Sequence, residues 1–172
     1  MKSSIGLEPA QVRVAPHSEE WQAAYEDERA LLVAALGELV VDIQHVGSTA
    51  VTGLAAKPII DIAIAIEDDA LAADVSQKLE ELGYKFAVDA GSEGGLIFYR
   101  ESHPPLRTHH VHVVRFDDPQ WRNYLSFRDR LRADPAMRGR YAALKERLAK
   151  AFADDREAYT EAKTEFVRSV LD

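Results

Sequence analysis

Three short stretches carry side chains able to do chemistry together: Gly47-Ser48-Thr49, the run Lys57-Pro58-Ile59-Ile60-Asp61, and Thr108-His109-His110-Val111-His112. A glycine followed by two hydroxyl residues makes a turn whose N–H groups and hydroxyls can hold phosphate oxygens. Lys57 adds a positive charge, and Asp61 follows on a strand-like run. Histidines at i and i+2 of a strand share a face, so His110 and His112 can join Asp61 as a catalytic centre or as a two-histidine, one-carboxylate metal site. That cluster requires the two strands to be neighbours. The cofactor it would admit is a divalent metal, Mg, Mn or Zn. The alternative is that the histidines only hydrogen-bond or touch a ligand directly.

Each residue also has a plainer reading. Lys57 can pair with a nearby carboxylate, and Ser48 and Thr49 can simply cap a short turn beginning at Ala50. His45, just ahead of the turn, is either a further ligand or a strand histidine with satisfied hydrogen bonds. Two familiar phosphate motifs are excluded. Five residues separate Gly47 from Gly53, which Leu54 follows, and Lys57 precedes Pro58, so no P-loop is present. No G-x-G-x-x-G opens a helix either.

The elements that must position these groups follow from periodicity and caps. Residues 11–14 alternate and read as a short strand. Ser18 can cap a helix running to about Leu36, with Trp21, Tyr25, Leu32 and Leu36 at helical spacing and Gly37 closing it. Residues 39–46 and 59–66 are strand-like and flank the glycine-serine turn. In the second of these, Ile60, Ile62, Ile64 and Ile66 form one apolar face and leave Asp61, Ala63 and Ala65 on the other, where small residues leave room for an open cleft.

An acidic cap at 67–69 precedes a helix over about 70–82 ended by Gly83, and residues 84–88 return as a strand. A turn over 91–95 and a loop over 102–105 bracket a strand at 96–100 and precede another at 108–115, two antiparallel neighbours. From Pro119 onward the chain reads as helix: 120–132, then a helix capped by Asp134-Pro135 and reaching about Phe152, then 155–171. The expectation is an α+β fold: a mixed sheet of five or six strands with packed helices and a helical C-terminal third, forming a single domain over 1–172.

Composition narrows the function classes. The chain of 172 residues has no cysteine, which excludes thiolate chemistry and disulfides and suits a cytoplasmic location. No apolar run is long enough to cross a membrane. The net charge of −8 argues against general nucleic-acid binding. The charge is uneven, however, with residues 119–150 at net +6. That stretch is either a solvated helix surface or a positive wall facing a phosphorylated ligand.

The stretches His45-Val46-Gly47-Ser48-Thr49-Ala50-Val51 and Gly53-Leu54-Ala55-Ala56-Lys57-Pro58-Ile59-Ile60-Asp61-Ile62 resemble the GrpB family (UPF0157). So do His110-Val111-His112-Val113-Val114, Phe127-Arg128-Asp129-Arg130-Leu131-Arg132, Tyr141-Ala142-Ala143-Leu144-Lys145 and Tyr159-Thr160-Glu161-Ala162-Lys163. The resemblance implies a nucleotidyltransferase-like fold, in which a Gly-Ser turn is followed about a dozen residues later by Asp-x-Asp/Glu. Here twelve residues separate Gly47-Ser48 from Asp61-Ile62-Ala63, so the second carboxylate is replaced by Ala63. Nucleotidyl transfer with two Mg²⁺ ions needs clustered carboxylates, and imidazole is a poor Mg²⁺ ligand.

The expectation is therefore a protein that binds a nucleotide or other phosphorylated small molecule between the Gly47-Ser48 turn and the basic C-terminal helices. Gly47, Ser48 and Thr49 would hold phosphate, with Lys57, Arg128, Lys145 and Lys163 adding charge. Asp61, His110 and His112 would be the catalytic or metal centre. Two alternatives stand beside it: an active nucleotidyltransferase using Asp61, His110, His112 and a divalent metal, and a non-enzymatic interaction or regulatory module.

Overall fold

The computed structural model describes residues 4–91, 94–102 and 105–172. The expected turn over 91–95 and loop over 102–105 fall partly outside the described residues. Five strands form one sheet in the order β1-β2-β5-β4-β3: β1 Asp42–Val46, β2 Ile60–Ile66, β3 Lys85–Asp89, β4 Leu96–Ser102 and β5 Leu106–Arg115. β2 and β5 run parallel, and every other neighbouring pair is antiparallel. The mixed α+β sheet expected from the sequence is thus what the chain adopts.

The isoleucines of β2 decide which side of the sheet is core. Ile60, Ile62, Ile64 and Ile66 are buried with Val111, Val113 and Phe98 against helix α1, Glu20–Leu36, and helix α2, Ala72–Glu81. α1 starts where Ser18 Oγ accepts from the Glu20 N–H at 3.2 Å and ends at Gly37, whose φ of 50° turns the chain out of the helix. One contact on this side is ionic. Glu28 of α1 is buried and accepts two hydrogen bonds from Arg100 of β4, at 2.8 and 2.6 Å, and one from the Tyr84 hydroxyl at 2.8 Å.

The opposite face departs from expectation. Ala63 and Ala65 are fully buried beneath Trp121, Tyr124 and Leu125 of helix α3, Pro119–Ala133. The small side chains on this face of β2 make room for a packed helix, and the face is open only around Asp61. Residues 11–14 form no strand either. The neighbouring chain makes isolated bridges at Leu7 with Arg107 and Ala15 with Ala56, while the Val12 N–H bonds the Ala153 carbonyl. The alternation there records the one-sided burial of Val12.

Helix α4, Pro135–Ala151, is capped by the Asp134 carboxylate, which accepts from the Met137 N–H at 2.9 Å. The last expected helix is two, α5 Arg156–Ala162 and α6 Thr164–Leu171, broken at Lys163. α3, α4 and α6 close over the turn after β1, with Leu131, Tyr141 and Phe166 packed with Val51 and Leu54. Among the described residues no helix is long and apolar enough to cross a membrane.

Candidate functional site

The parallel pairing of β2 with β5 places Asp61 directly beside His110 and Ala63 beside His112. Side chains level with one another on adjacent strands point to the same face, so the sheet itself assembles the triad. Asp61 Oδ1 lies 3.4 Å from His110 Nδ1 and 3.6 Å from His112 Nε2. Burial alone would raise the Asp61 pKa, but hydrogen bonds and charge from the two imidazoles outweigh it and hold the carboxyl far below its usual range. Burial lowers the His110 pKa against the pull of Asp61.

The two histidines have different freedom. His112 Nδ1 meets the Tyr124 hydroxyl at 3.2 Å, while its Nε2 faces Asp61 Oδ1 at 3.6 Å. His110 uses Nδ1 toward Asp61 and leaves Nε2 for the cleft. This is the arrangement of a base oriented by a carboxylate.

Val46, the last residue of β1, pairs with the same aspartate, and Gly47 leads from it into a 3₁₀ turn at Ser48–Ala50. Ser48, Thr49, Lys57, Asp61, His110, His112, Lys145 and Lys163 all border one cleft of about 310 Å³. Arg156 and Tyr159 border it as well.

Four cations thus surround one carboxylate. Among the described residues none of Lys57, Lys145, Arg156 and Lys163 has an acidic partner within ion-pair distance. Their charge is supported by π faces and carbonyls instead. Lys57 and Lys163 lie 5.1 and 4.4 Å from the centre of the Tyr159 ring, and Lys145 lies 4.5 Å from that of Tyr141 while donating to the Ala55 carbonyl. Burial, reinforced by mutual repulsion, lowers Lys57 to about 8 and Lys163 to about 7, and pulls Lys145 well below the usual lysine range. The Tyr159 hydroxyl and two guanidinium nitrogens of Arg156 are buried without a hydrogen-bond partner. Such a set of desolvated, unpaired donors fits an anion.

Two sequence expectations are corrected here. Arg128 does not reach the cleft: it donates to the Gln44 side chain at 2.8 Å and the His45 carbonyl at 3.0 Å, tying α3 to β1. The basic run over 119–150 is likewise not a wall. Arg132 bonds the Ala50 carbonyl at 2.9 and 2.7 Å, Arg138 bonds the Leu131 carbonyl at 3.0 Å, and only Lys145 of the run lines the cleft. These arginines satisfy backbone carbonyls at helix and turn ends. His45 is the structural histidine of its two readings, stacked on Tyr25 and bonded through Nε2 to Thr49 Oγ1 at 2.9 Å.

Arg156 and Tyr159 escaped the residue-by-residue reading of charge. The available signal was spacing, because Arg156, Tyr159 and Lys163 recur three and four residues apart and fall on one face of the C-terminal helical stretch.

The two Mg²⁺ ions implied by the fold resemblance need clustered carboxylates. Here Ala63 supplies no donor, and both imidazoles face the one carboxylate, at 3.4 and 3.6 Å. Among the described residues no group of three or more His, Asp or Glu side chains is placed to hold a metal ion. The donors present do not fit Mg²⁺.

Comparison with known proteins identifies the family and the fold. The chain is 35% identical to the glutamate-rich protein GrpB of Alkalihalophilus pseudofirmus over 97% of its own length and 98% of that protein. The crystal structure of the conserved protein GrpB from Enterococcus faecalis superimposes with a TM-score of 0.77 at 30% identity, covering 93% of this chain and all of that one. More distantly, the Cid1 poly(U) polymerase in its MgGTP-bound form matches 80% of this chain and 44% of its own at a TM-score of 0.52 and 14% identity, a likeness of fold alone. The family model of the GrpB protein matches residues 11–172, and the chain belongs to the GrpB family, with a nucleotidyltransferase-like fold.

Proposed function

We propose that this protein binds a nucleotide or other phosphorylated small molecule in the cleft between the Gly47-Ser48 turn and the C-terminal helices, with Asp61 and His110 as its reactive pair. The observation that carries the reading is the gathering of four cations without acidic partners, Lys57, Lys145, Arg156 and Lys163, around a single carboxylate. Desolvated cations weaken the folded state unless an anion neutralises them, so a site built this way is suited to an anionic ligand. The cleft volume of about 310 Å³ suits a ligand no larger than one nucleotide. The lack of cysteine is consistent with a cytoplasmic location.

A thermal-unfolding panel of nucleotides, sugar phosphates and coenzyme A precursors tests the reading, since a ligand specific to the folded state raises its apparent stability. A phosphorylated compound should raise Tm in the wild type, and the shift should vanish in Lys57→Met and in Lys163→Met. A shift that persists in both variants would place binding elsewhere.

A second reading, nucleotidyl transfer to a small acceptor, is favoured by the orientation of His110, whose Nε2 is left to take a proton from an acceptor hydroxyl while Nδ1 faces Asp61. Turnover of a nucleoside triphosphate that is lost in His110→Gln while binding persists would establish it. A substrate panel without turnover would leave binding alone.

A further inference from the structure

We infer that the cleft takes its phosphate ligand free of metal, with four basic side chains, Lys57, Lys145, Arg156 and Lys163, doing the neutralising that two Mg²⁺ ions do in carboxylate-lined sites. The inference rests on the phosphate-binding reading above and goes beyond it by specifying the ionic form of the ligand.

Three observations lead here. The carboxylates that would hold divalent cations are missing: Asp61 is committed to two imidazoles and its neighbour on the same face is Ala63. The basic groups have been relocated into the protein, where Lys57, Lys145, Arg156 and Lys163 line the cleft and a bound anion favours their charged forms. Among the described residues these groups lack acidic partners, and Tyr159, which also lines the cleft, has a buried hydroxyl without a hydrogen-bond partner.

Electrostatics then sets opposite requirements for the two kinds of site. A carboxylate-lined site needs Mg²⁺ to bridge it to a phosphate of like charge. A lysine-lined site binds the bare anion, and a Mg²⁺–phosphate complex arrives with part of its charge neutralised and some of its oxygens occupied. Asp61 is then the one group in the cleft that repels the ligand, and its role is to orient His110.

The test measures binding of inorganic tripolyphosphate and of ATP by calorimetry, in EDTA and in millimolar MgCl₂, with wild type, Asp61→Asn and Lys57→Met. Binding in EDTA that weakens several-fold in Mg²⁺, tightens in Asp61→Asn and is lost in Lys57→Met is the expected result. Binding that requires Mg²⁺ and disappears in Asp61→Asn would overturn this inference while leaving the phosphate site intact. No binding of either probe in either condition would overturn both the inference and the proposed function. Circular dichroism of each variant confirms that the comparison is between folded proteins.

Discussion

Gly47 faces Asp61 so closely that a Cβ built on the glycine would lie 2.8 Å from Asp61 Oδ2. The backbone there has φ 71° and ψ −172°, a region that only glycine occupies without strain. Two independent constraints therefore demand glycine, the conformation of the turn and the approach of the carboxylate. Gly47→Ala should lower stability by about 1–3 kcal/mol through backbone strain alone, read by urea unfolding. It should also move the Asp61 carboxylate and blunt the phosphate-dependent rise in Tm. An alanine variant as stable as wild type would show that the turn readily adopts another path.

The lysines make binding proton-linked. In the free protein burial holds Lys163 at about 7 and Lys57 at about 8, so at pH 8 both are incompletely charged. A bound phosphate favours the charged forms and raises both values. Ligand binding at pH 8 should therefore take up protons, seen as a dependence of the calorimetric enthalpy on the ionisation enthalpy of the buffer. Affinity should fall as pH rises from 7.5 to 9.5, where the ligand's own charge is nearly constant. Binding without proton uptake would place the phosphate away from these two side chains.

The same burial predicts a conflict between stability and binding at Lys163. Its folded pKa, about 7, lies below the unfolded value, so the charged form penalises folding fully below pH 7. The penalty fades as pH rises toward the ordinary lysine range. Lys163→Met should raise the Tm of the ligand-free protein at pH 6–7 by roughly 2–4 °C, the shift that about 1 kcal/mol produces in a domain of this size. The gain should shrink at pH 10. A variant less stable than wild type at pH 6 would mean that the Lys163 contact with the Tyr159 ring outweighs the desolvation.

On the far side of the sheet, Glu28 and Arg100 should matter to stability alone. The Glu28 side chain is 4% exposed and carries both hydrogen bonds from Arg100, so Glu28→Ala leaves a guanidinium stranded beside the core. Loss of one partner of a buried pair costs about 3–5 kcal/mol. Urea unfolding should show a drop of that order, while phosphate affinity in the surviving folded fraction stays unchanged. A drop below about 1 kcal/mol would mean that water reaches Arg100 in the variant.

Much of this was legible in the sequence because it depends on local chemistry. The alternation of isoleucine with Asp61, Ala63 and Ala65 identified β2 and its faces. The i, i+2 spacing put His110 and His112 on one side of β5, and Ser18, Gly37 and Asp134 marked helix ends through capping and positive φ. The motif around Gly47-Ser48 and Asp61 led to the family. What the sequence left open was anything set by which elements become neighbours. The pairing of Asp61 with His110 depends on a parallel register between strands 40 and more residues apart, and no local pattern encodes that register. Arg128 and Lys145 are both cations on basic helices, yet one bonds a β1 carbonyl and the other enters the cleft. Only the tertiary placement of α3 and α4 distinguishes them. Ala63 and Ala65 looked like the floor of an open cleft, but small side chains serve equally well as a seat for a helix, and Trp121 took that place. The residue types fixed what chemistry was available; the tertiary packing decided which charges would remain without partners, because pairing is settled by distance in space.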